Sequence, residues 1–169
     1  MYLFVFFWTP ALKAAQAHSS PASKDLPLGL IFACFMSSTM LGSMLFNLLV
    51  SKNNLITPSR LLTITFLTAS ITLLLPSFIK TTTPTFISFC FFEVCVGIYY
   101  PSIGYLKGKY IEDGIRARVY GMLRIPLNVF VVVALSLIKE GDGYRNTVFG
   151  VCFGMLVGMA AIFGWVVTG

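Results

Sequence analysis

Residues 28–50, LGLIFACFMSSTMLGSMLFNLLV, run for 23 positions without one charged side chain. A helix rises 1.5 Å per residue, so roughly 20 apolar residues span a hydrocarbon core about 30 Å thick. This stretch therefore predicts a transmembrane helix. The same reading extends outward to residues 61–79, 84–106 and 147–167, and to 119–138 with Arg124 tolerated near one end. The gaps at 51–60 and 139–146 are short and polar, so consecutive helices must run antiparallel. The expected fold is an all-α membrane protein, a single transmembrane bundle over residues 1–169 with five complete helices.

Composition leads to the same class. Hydrophobic residues make up 57% of the chain and charged ones 11%, whereas soluble domains are near half apolar and a quarter charged. The net charge of +6 invites a nucleic-acid reading. The basic residues sit in the gaps between apolar stretches and form no face or run, so no nucleic-acid partner is expected. They orient the helices against the lipid bilayer instead. One side carries Lys52, Arg60, Lys107, Lys109, Arg116 and Arg118, with Arg124 nearby, and the other carries Lys13, Lys24, Lys80, Lys139 and Arg145. The denser cluster marks the cytoplasmic side, and the C-terminus ends there too.

The ends and the reactive residues exclude several classes. Cys34, Cys90, Cys95 and Cys152 all lie in apolar stretches, and the single histidine, His18, lies in a polar one. The thiols read as buried and inert, and no metal site or cofactor is implied. No Ser/His/Asp arrangement, phosphate loop or paired carboxylate appears, so an enzyme is not expected. Residues 2–8 are apolar but too short to span. They read either as the start of a secretory leader cut near Ala15-Gln16-Ala17, or as the end of a truncated helix, residues 1–12. The lack of a basic residue before the apolar run favours the second reading.

Two intramembrane charges carry the functional expectation. Glu93 lies near the centre of span 84–106, where an acid costs a few kcal/mol and usually faces a bundle interior or a transport path. It serves function there, or packing as a hydrogen-bonded acid. Arg124 lies about 12 Å along its helix from Arg116. It either snorkels to the headgroups or turns its planar fork of donors toward a tetrahedral oxyanion. The two charges differ in depth by about 9 Å on the same rise, so a direct pair would need a tilt or kink. Gly97 with Pro101, and Pro126 beside Arg124, are the expected helix kinks. Asn47 faces a cavity or the bundle. Gly150, Gly154 and Gly158, like Ser38/Gly42 and Thr39/Ser43, recur every four residues and predict close helix packing.

The residues in order resemble a known family. Phe4-Val5-Phe6-Phe7-Trp8-Thr9-Pro10-Ala11-Leu12 is similar to a signature of the molybdate-anion transporter family of the major facilitator superfamily. So are Pro27-Leu28-Gly29-Leu30-Ile31-Phe32 with Leu41-Gly42-Ser43, Glu93 through Pro101-Ser102, and Arg124-Ile125-Pro126-Leu127. The resemblance implies twelve helices in two halves, of which this chain is the C-terminal half, helices eight to twelve plus the end of the seventh. It implies transport of molybdate or a related tetrahedral oxyanion across the plasma membrane by alternating access in the full-length parent. On that reading Glu93, Arg124 and Asn47 line the substrate path, and the chain's partner is a missing N-terminal half. The rival is a non-transporting subunit or regulator of another membrane protein, including a full-length partner.

Overall fold

The computed structural model describes residues 2–19, 26–52, 56–78, 81–111, 113–136 and 142–168. Among them the chain is helical, with no strand: α1 (Tyr2–Ser19), α2 (Leu28–Phe46), α3 (Pro58–Phe78), α4 (Thr82–Tyr110), α5 (Asp113–Ser136) and α6 (Asp142–Thr168). The all-α membrane fold is the one expected. Among the described residues, three helices are long and apolar enough to cross a membrane: Leu28–Val50, Pro58–Pro76 and Thr82–Tyr110. The apolar stretches of α5 and α6, Tyr120–Val132 and Gly150–Ile162, are shorter, although the helices that carry them are 24 and 27 residues long.

Two helices differ from the sequence expectation. α1 continues past Leu12 to Ser19, with Pro10 inside it, because Ala14, Ala15, Gln16 and Ala17 are ready helix formers. At its C-terminal end α2 loosens into a π-helical turn, Asn47–Lys52. Pro101 and Pro126 lie within α4 and α5, which run on through them.

α4 is the centre of the bundle. It packs on α2 and α3, α6 packs on α3, and α1 lies against α4. Aromatic rings fill one end. Phe4 and Trp8 of α1, Phe35 of α2, and Phe89 and Phe92 of α4 form one core. Phe4 sits 5.9 Å from Phe35, 5.2 Å from Phe89 and 4.8 Å from Phe92, measured between ring centroids. The first two pairs are edge-to-face and the third is tilted; edge-to-face pairs add about 1 kcal/mol each beyond the area they bury. At the opposite end Leu62, Phe66, Leu106 and Ala160 close the gap between α3, α4 and α6. Cys95 is buried, Cys90 and Cys152 are half-buried and Cys34 is exposed, so the expectation of four buried thiols holds in full only at Cys95 and fails at Cys34.

Candidate functional site

The site lies where α2 meets α4. Thr39 hydrogen-bonds Glu93 and Ser43 hydrogen-bonds Gly97, each pair 54 residues apart in sequence. A constant offset of this kind requires two helices running in the same direction, and the intervening helix α3 returns between them. Small residues let the two backbones touch. A Cβ on Gly42 would fall on the Val94 carbonyl and within 3.0 Å of Gly97 Cα, and one on Gly97 would fall on the Thr39 carbonyl. Neither position has room for a side chain. The close approach expected of the α2 spacing is therefore realised at Gly42.

Pro101 adds a second requirement. Having no N–H, it deprives the Gly97 carbonyl of its usual donor one turn ahead. Ser43 Oγ supplies the replacement from α2, donating to that carbonyl at 3.1 Å. An unmade bond at a buried carbonyl costs about 1–3 kcal/mol. Gly97 and Pro101, both on α4, thus create one demand that Ser43 meets from α2.

One turn away, Glu93 is 1% exposed. Thr39 Oγ1 lies 2.7 Å from Glu93 Oε2 and 3.0 Å from the Phe35 carbonyl. A threonine hydroxyl has one proton to give and lone pairs to receive one. When Glu93 is protonated, it donates to Thr39, and Thr39 donates to Phe35. When Glu93 is a carboxylate, Thr39 turns its proton to Glu93 and the Phe35 contact lapses. Chemically, the arrangement is a carboxyl whose protonation redirects one hydroxyl between two helices.

The other expected site residues lie elsewhere. Asn47 is exposed at the junction of α2 with its π-helical turn, about 12 Å along the helix from Thr39. Arg124 and Pro126 are exposed on α5. Among the described residues no ion pair joins Arg124 to Glu93. Within this chain the structure thus brings Glu93, Gly97 and Pro101 together and leaves Asn47, Arg124 and Pro126 apart. Sequence reasoning treated Thr39 and Ser43 only as packing residues. The signal available was their four-residue spacing, which matches that of Glu93 and Gly97.

A profile of the major facilitator superfamily, described as sugar transporters with twelve transmembrane segments, matches residues 1–98, more than half of the chain. The chain belongs to this family. Among curated relatives, the molybdate-anion transporter of Takifugu rubripes is 29% identical over 96% of this chain and 35% of its own length. Those of Xenopus tropicalis and Danio rerio are also 29% identical, over 90% and 93% of this chain and 33% and 34% of theirs. The chain spans about a third of the length of the curated relatives it matches. No solved structure matches it. The matched region of this facilitator chain holds Thr39, Ser43, Glu93 and Gly97, so the α2–α4 joint lies inside the part that is similar to the family.

Proposed function

We propose that this chain forms part of a membrane transporter for molybdate or a similar tetrahedral oxyanion, working by alternating access together with a further helical half. The observation that carries the reading is the buried Glu93–Thr39 pair between two helices, in a chain whose curated relatives are named molybdate-anion transporters. A buried carboxyl that redirects a hydroxyl between helices suits gating or proton relay. Arg124, exposed on α5, would attract the oxyanion from a cavity completed by the other half, and Asn47 would line the same path. The loop charges suit a cytoplasmic C-terminus, and the resemblance to molybdate-anion transporters suits a plasma-membrane location.

Uptake of isotopically labelled molybdate by cells expressing the gene that carries this sequence tests the reading, with tungstate and sulfate as competitors. Arg124→Ala is expected to reduce uptake at least tenfold, about the value of one charge-assisted hydrogen bond. Glu93→Gln is expected to flatten the dependence of uptake on pH. Unchanged uptake in either variant removes that residue's role.

A second reading has its own support. Gly150, Gly154 and Gly158 of α6 face open space in this chain, as the contact face of a non-transporting subunit would. Co-purification with a larger membrane protein would favour it, provided molybdate uptake is absent.

A further inference from the structure

One end of the bundle combines charge and aromatic rings in a way that transport does not use. Leu62 near the start of α3, Leu106 near the end of α4 and Ala160 near the end of α6 share one core. Gly164 lies over Thr63 at the same level. These helix ends therefore emerge together on one face. By chain order Arg60, Lys107, Lys109 and Arg118 belong to this end; Arg60, Lys109 and Arg118 are exposed and Lys107 is half-buried. The Lys107 amine sits 4.6 Å from the Tyr120 ring centroid, which ties the end of α4 to the first turns of α5. Tyr110 is 75% exposed and Trp165 is 79% exposed.

The charge balance is uneven between the two ends. By chain order, and leaving aside Arg124, this end collects Lys52, Arg60, Lys107, Lys109, Arg116 and Arg118 against Glu112 and Asp113. The opposite end has five basic residues against Asp25, Glu140 and Asp142. In a chain that crosses a bilayer, helix ends lie at the headgroup layer. Tyrosine and tryptophan favour that depth, and lysine and arginine stems reach along the apolar surface to place their charges in it.

We propose that this end of the bundle binds the headgroup of an anionic phospholipid. Lys107 is held in place by Tyr120, and Lys109, Arg60 and Arg118 reach the lipid phosphate, with Tyr110 and Trp165 against the glycerol and upper acyl region. The cluster is worth more than helix orientation alone, because basic residues at this depth each favour an anionic surface by about fivefold. The partner is a lipid in the leaflet, not a dissolved oxyanion, since the exposed rings that flank the charges are apolar on their faces.

Trp165 supplies the readout. The protein is reconstituted in phosphatidylcholine vesicles carrying a minor share of dibrominated phosphatidylserine, and its tryptophan quenching is compared with that from the same share of dibrominated phosphatidylcholine. Trp8, the other tryptophan, is buried at the opposite end and responds little. Excess quenching by the serine lipid is expected. It should fall about tenfold or more in the Lys107→Gln, Lys109→Gln double variant, stay in Lys107→Arg, Lys109→Arg, and stay in the far-end variant Lys13→Gln. Equal quenching by the two lipids overturns the proposal. So does an excess that survives the double glutamine variant, or one that dissolved molybdate or phosphate abolishes at constant ionic strength, which would make the site one for a free oxyanion.

Discussion

The chain holds two stripes of small residues with the same spacing, and they have opposite surroundings. On α2 and α4, Gly42 and Gly97 meet backbone to backbone, with no space for a methyl group on either. On α6, Gly150, Gly154 and Gly158 have nothing within 4 Å of where a Cβ would stand, and Val151, Met155 and Met159 beside them are exposed. Spacing alone licenses close approach but does not supply a partner. At the first stripe the partner is fixed by two further features, the carbonyl freed by Pro101 and the acid at Glu93. Both demand hydroxyls, and α2 offers Ser43 and Thr39 at the matching height.

The sharpest way to break this contrast is to fill the joint. Gly97→Leu must push α2 from α4 and break both interhelical hydrogen bonds with it. Overpacking of this kind costs about 1–3 kcal/mol or more, and two lost bonds add about 1 kcal/mol each. The expected result is a chain that no longer unfolds cooperatively in detergent when followed by circular dichroism. A midpoint within a few degrees of the parent would show that the helices do not touch there.

The proline–serine relation is separable by a double-mutant cycle. Ser43→Ala leaves the Gly97 carbonyl without a donor, at about 1–3 kcal/mol. In a Pro101→Ala background the new N–H at position 101 serves that carbonyl, so the same serine substitution should cost much less. Thermal midpoints of the four proteins measure the coupling, expected near 1 kcal/mol. Additive effects would separate Ser43 from Pro101. Thr39→Val ranks next, near 1 kcal/mol. It keeps the shape and removes one hydroxyl, and it should also shift the pH dependence of any uptake, because Glu93 loses the group it redirects.

How much of this was legible in the sequence depends on the physics behind each feature. Apolar windows such as residues 28–50 are legible because a bilayer imposes a length and forbids charge. The extension of α1 to Ser19 is not, since Ala and Gln favour helix without announcing a face. Glu93 stood out because an acid in an apolar helix is costly wherever it points. Its partner did not, because the pairing of Thr39 with Glu93 depends on the height and rotation of α2 against α4, which the α3 hairpin sets over 54 residues. Arg124 could be placed in depth by counting helical rise. Which way it faces is a tertiary matter, and in this chain it faces outward.

The smallest expected effect tests the open stripe. Gly154→Ala adds a methyl group where the structure shows empty space, and alanine is about 1 kcal/mol better than glycine inside a helix. Within this chain alone the substitution should be neutral or slightly stabilising, and the thermal midpoint should hold or rise. Gly97→Ala, the same chemical change, should lower it, since that methyl meets a backbone oxygen that cannot move aside. If Gly154→Ala instead destabilises an assembled protein while leaving the isolated chain unchanged, the α6 stripe is packed against a helix from outside this chain. A loss that grows with protein concentration would identify that helix as a second copy, and a loss seen only with a co-purifying partner would identify it as that partner's.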